Sequence, residues 1–188
     1  TLKLAKGATF SGRVLDATAI TDLAIGRSIY AAAFLAAAND LGIALALLVC
    51  GAAAGLGMDR DRVFYPAVLI ATASYYVAFA VVDGGQAALW SEVAIAAVCI
   101  GMAVLGFKRN PWVVVAALAG HGVMDVFHDA LVHNTGVPQG WPGFCMTFDL
   151  TAAALVGCVL AFRANKQGNP VTAGRGSPGL LPGAPRVG

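Results

Sequence analysis

The chain has 188 residues, 59% hydrophobic and 12% charged, with a formal charge of +2. That is more apolar surface than one soluble core of this size can hide, so lipid is the expected solvent. The 12 basic residues are scattered, which excludes the concentrated positive face that nucleic-acid binding requires.

Taken in chain order, residues 1–29 place Lys3, Lys6, Asp16, Asp22 and Arg27 among weakly periodic apolar positions. They are predicted to form an interfacial helix and no span. A span needs roughly 20 mainly apolar residues, at about 1.5 Å of rise per residue. Five windows qualify within residues 30–162: Tyr30 to Leu56, Tyr65 to Val82, Ala87 to Phe107, Trp112 to His133 and Phe144 to Phe162. The expected fold is all-α, a polytopic transmembrane bundle of about five spans. Its connections are short and turn-like, so consecutive helices should be antiparallel neighbours. Pro66, Pro111 and Pro142 stand near predicted helix starts, where proline costs least. Within the first span, Gly51 and Gly55 have the spacing that lets helices approach closely in lipid. From Arg163 to Gly188 the chain is rich in Pro and Gly and reads as a disordered tail.

The loops after the first and third spans carry Arg60, Arg62, Lys108 and Arg109, and the tail carries Arg163, Lys166, Arg175 and Arg186. The loops after the second and fourth spans carry no Lys or Arg. By the positive-inside rule this predicts a multi-pass protein of the cell membrane with its C-terminus cytoplasmic and its N-terminus outside. The basic residues of the N-terminal segment run against that assignment.

In the fourth span, His121, Asp125 and His128 fall within a strip about 60° wide if the helix is regular. Glu92 and Asp149 enter early in their own spans from the same side, and Asp83 and Asp129 lie nearby. No Lys or Arg occurs between Arg62 and Lys108 or between Arg109 and Arg163. These carboxylates must therefore be protonated, bonded to histidine, hydrated, or neutralised by a bound cation. His and carboxylate donors suit zinc and other divalent ions, which makes His121, Asp125, His128 and Asp149 the candidate metal ligands. A plainer reading has the two histidines hydrogen-bonding across helices. Cys50, Cys99, Cys145 and Cys158 show no paired spacing and are read as small hydrophobes.

Three uses of such a site are open. As an enzyme, the protein would activate a metal-bound water against a lipid-like substrate, with Glu92 or Asp129 as general base. As a carrier, it would bind a cation or proton at Glu92 and Asp125. As an accessory subunit of a larger membrane assembly, it would turn its polar strip toward a partner chain.

The motifs His121-Gly122-x-x-Asp125-x-x-His128, Asn134-x-Gly136-Val137-Pro138 and Trp141-Pro142-x-Phe144-Cys145 resemble those of a family of small bacterial integral membrane proteins. The resemblance covers about the second half of the chain, implies an inner-membrane location, and brings no assigned activity with it. Ceramidase-like membrane hydrolases hold zinc through histidines and an aspartate from several helices. This chain departs from them, because its three histidines all lie between 121 and 133 and a seven-span layout is missing.

Overall fold

The computed structural model describes residues 17–60 and 62–167, with side chains from residue 25 to residue 166. Every regular element among the described residues is helical. Helix α1 (Ala17–Leu56) is Ala-rich and free of Pro, which favours an unbroken helix. It ends where Gly57 turns into the left-handed region at φ 77°. Its 40 residues extend about 60 Å, roughly twice the hydrocarbon thickness. The helix passes residue 29 without interruption, so residues 17–29 are helical and continuous with the predicted first span. The segment before residue 17 lies outside the described residues, as does the tail beyond residue 167.

A turn at Met58–Arg60 leads into α2 (Phe64–Phe79), which continues as a π-helical turn (Ala80–Gly84). At Gly85, φ reaches 76°, and there the chain reverses into α3 (Gly85–Lys108). Helices α2 and α3 then pack side by side as a hairpin. Helix α4 (Trp112–Val126) and the one-turn α5 (His128–Leu131) follow, and α6 (Trp141–Gln167) is the last element among the described residues. Three helical stretches are long and apolar enough to cross a membrane: Ile25–Leu56, Phe64–Lys108 and Trp141–Lys166. Folding of the second at Gly85 makes two legs of it, and α4 is a shorter apolar leg beside them.

Helix α6 lies between α1 and α4, while α3 packs against both α2 and α4. The shared core is built largely from small residues and a few aliphatics, among them Ala46, Leu69, Ala103, Val114, Leu118 and Ala152. Outward faces are apolar instead, with Leu48, Val82, Val98 and Phe162 well exposed. Burying Glu92, His121, Asp125, His128 and Asp149 while exposing large aliphatics inverts the usual pattern of a water-soluble domain. It is the pattern expected where lipid surrounds the molecule.

Gly42 sits directly on Thr147 and the Phe144 carbonyl, so no β-carbon fits there without movement. The Thr147 hydroxyl donates to the Asn39 carbonyl across the same seam at 2.8 Å. By contrast, added β-carbons at Gly51 and Gly55 meet nothing within 4 Å. The small-residue seam of α1 is therefore at Gly42, Ala46 and Ala53, one face away from the Gly51 and Gly55 pair. Gly42→Ala is expected to cost about 1–3 kcal/mol through overpacking. Gly51→Ala should be neutral or slightly stabilising, because it adds helix propensity in open space. Thermal melts of both variants in detergent test this, and equal losses would remove the α1–α6 seam from the argument.

The two ends of the bundle differ. At one, Arg60, Arg62 and Arg163 gather with Gly106 and Pro111, and Arg163 pairs with Asp59 at 2.5 Å. At the other, the Thr135 hydroxyl donates to the Asp83 carbonyl at 2.5 Å and Asn134 presses on Gly84. The basic loops and the acidic half thus lie apart, as the charge pattern predicts.

Candidate metal centre

Helices α4 and α6 each offer two donors one turn apart, His121 with Asp125 and Cys145 with Asp149, a spacing that keeps each pair on one face. The two faces meet because Gly122 stands between them. A β-carbon there would lie 3.1 Å from the Met146 carbonyl and 3.3 Å from the Asp149 β-carbon. His121 Nδ1 consequently lies 2.6 Å from Asp149 Oδ2 and 3.7 Å from Asp125 Oδ2. One potential ligand atom from each of His121, Asp125, Cys145 and Asp149 falls within 4.8 Å of the others. All four residues are buried, with 4% exposure at most. This group is able to hold a metal ion.

A second polar cluster stands beside it. Glu92 Oε1 accepts from His128 Nε2 at 2.8 Å and from the Asn134 amide at 2.9 Å. Asn134 also donates to the Tyr76 carbonyl at 3.2 Å and accepts from the Gly136 amide at 3.2 Å, which ties the loop before α6 to α2 and α3. Tyr76 separates the two clusters. Its ring stacks on His128 at 4.3 Å and meets His121 edge-on at 5.9 Å.

Several buried polar atoms are left without a hydrogen-bond partner: His121 Nε2, both oxygens of Asp125, Asp149 Oδ1, Glu92 Oε2, His128 Nδ1 and the Tyr76 hydroxyl. Among the described residues, no Lys or Arg forms an ion pair with these acids. An ionised buried carboxylate costs several kcal/mol even after relaxation. Four of the unpartnered atoms belong to the residues that form the candidate metal group.

No family profile, curated protein or solved structure matches the chain.

Of the residues singled out from sequence, His121, Asp125 and Asp149 come together. His128, expected as a fourth ligand, instead pairs with Glu92. The cause is local. Helix α4 ends at Val126, and Phe127, at φ −107° and ψ 5°, leaves helical geometry before α5. The regular strip through 121, 125 and 128 is thereby interrupted. Glu92, considered as a general base, is occupied by two donors. Asp129 carries a side chain 92% exposed, with His128 Nδ1 3.6 Å away, and stands outside the four-residue group. His133 is exposed.

Cys145 is the residue that sequence reasoning sets aside and the structure brings in. Its signal is the spacing Cys145-x-x-x-Asp149, which repeats the His121-x-x-x-Asp125 spacing on a second helix. The four cysteines are free, so no disulfide competes for this thiol.

Proposed function

We propose that this chain is a multi-pass metalloprotein of the cell membrane that holds one divalent ion, zinc foremost, between α4 and α6. The observation that carries the reading is the convergence of His121, Asp125, Cys145 and Asp149 with unpartnered buried atoms on three of them. A cation supplies the partner those atoms lack. An imidazole, a thiolate and carboxylates together suit zinc better than calcium or magnesium, which prefer oxygen alone.

Asp149 already engages His121 Nδ1, which leaves Nε2 as the free nitrogen of that ring. Carboxylate, histidine and metal in that order are a recurring outer-shell arrangement. His121, Asp125 and Cys145 would then be the three protein ligands, and a fourth position would be left for water or for a ligand's polar head. Zinc in such a site supplies a water acidified to near neutral pH, so hydrolysis of a lipid-like substrate is the activity this arrangement would serve. Docking of the polar strip to a partner subunit is the weaker reading, because Glu92, His121, Asp125, His128 and Asp149 all face inward. Without a metal, the short His121–Asp149 and His128–Glu92 pairs favour proton binding as the second reading. The orientation we propose puts the basic end, with Arg60, Arg62 and Arg163, in the cytoplasm and the His-Asp half toward the outer leaflet.

Elemental mass spectrometry of the detergent-purified protein tests the proposal directly. One equivalent of metal is expected in the parent and none in a His121→Ala, Asp125→Ala double variant. If the parent carries no metal even after incubation with zinc, the proton-binding reading replaces the metal one.

A further inference from the structure

Between α1, α2 and α6 lies a cavity of about 350 Å³, lined by Leu45 and Val49 from α1, Val68 and Ala71 from α2, and Cys145 and Phe148 from α6. It exists because α1 packs mainly on α6 and α2 mainly on α3, so no extended seam joins α1 to α2. Its walls offer few hydrogen bonds. The Thr72 hydroxyl is committed to the Leu69 carbonyl at 3.1 Å, within its own helix. At the rim, Trp141 packs against Tyr75, Phe79 and Phe144 with ring centroids 4.9–5.2 Å apart, and its indole Nε1 is buried without a partner. An adjoining cavity of about 340 Å³, between α1 and the loop before α6, shares Trp141 and Phe144 as walls.

Cys145 belongs both to this lining and to the candidate metal group. The groove therefore comes within one side chain of His121, Asp125 and Asp149. We infer that the groove takes the hydrocarbon chain of a single-chain amphiphile whose polar head lies at the metal centre. This inference rests on the metal reading above and names the ligand class of that same site. An apolar lining selects against sugars and peptides, whose polar groups would go unpaired. The volume is at the low end for a small-molecule site, too small for a helix of another chain. Where lipid surrounds the bundle, hydrocarbon is also the phase from which the groove fills.

The test uses the full chain in phosphatidylcholine liposomes with a palmitate analogue that carries a diazirine on its chain. After irradiation, adducts are mapped by peptide mass spectrometry, and zinc is measured on the same samples. Adducts on Val49, Val68 and Phe148 are expected to exceed those on the exposed Leu48 and Val98 by about tenfold. Excess unlabelled palmitate should remove the first set and spare the second. Ala71→Phe, which fills the groove, should do the same while zinc stays bound. Adducts that simply follow surface exposure, with no competition by palmitate, overturn the groove, whether or not zinc is present. Groove adducts in a protein devoid of zinc would keep the chain site and overturn the metal reading together with the head contact.

Discussion

Zinc affinity is expected to fall by more than roughly 100-fold in Asp125→Ala and in Cys145→Ala, but by only about 10–100-fold in Asp149→Asn, the range typical of outer-shell partners. The order follows from the contacts. Neither Asp125 oxygen makes a close hydrogen bond, the nearest His121 nitrogen standing 3.7 Å from Oδ2, so a metal ion would displace little at this carboxylate. The Cys145 thiol is the one soft donor in the group. Asp149, in contrast, already accepts from His121 Nδ1 at 2.6 Å, and an Asn oxygen at that place still accepts the same proton. Competition titration against a chromophoric chelator in detergent measures all three. An Asp149→Asn loss as deep as that of Asp125→Ala would make Asp149 a direct ligand and close the fourth position. The affinity of the parent should rise with pH over the neutral range, because thiol and imidazole must shed protons before they ligate. A flat profile would argue against participation of the thiol.

Glu92→Ala is expected to cost about 3–5 kcal/mol of stability, the penalty for breaking a buried pair by removing one side of it. The same change should leave metal stoichiometry intact. Glu92 holds His128 and Asn134 together, and Asn134 in turn holds the loop against α2. Its loss strands two buried donors at once. Glu92→Gln should be milder, since the amide oxygen can accept from both donors. Thermal unfolding in detergent and zinc content, measured in parallel, separate a bracing role from ligation. A stable Glu92→Ala variant that loses its metal would move Glu92 into the metal centre.

The helical architecture and the depth of the polar groups were legible from the sequence, and for the same reason. Counting residues along each predicted span puts Glu92, Asp149, His121 and His128 in one half of the bundle, with His121 near its middle and His128 toward its end, and the structure pairs Glu92 with His128 and Asp149 with His121. What depth does not carry is rotation about each helix axis. Which face of α6 meets α4 depends on Gly122, whose missing β-carbon matters only once α6 is beside it. The interruption at Phe127 was equally hidden, because neither Gly nor Pro occurs there to mark it. Cys145 looked inert because a thiol in an apolar run is usually only packing. Its role emerges from the helix opposite. The Gly85 reversal, by comparison, is announced by the sequence Asp83-Gly84-Gly85.

The position of α6 bears on how the protein is made. This helix packs on both α1 and α4 and brings Cys145 and Asp149 to the centre. A chain emerging N-terminus first must therefore hold His121 and Asp125 in the membrane before their counterparts have been synthesised. Until α6 arrives, His121 and Asp125 are covered by α2 and α3 but open on the side that α6 later fills. Completion of the four-residue group thus waits for α6, and a nascent chain stopped just short of Trp141 would be a natural target for membrane quality control.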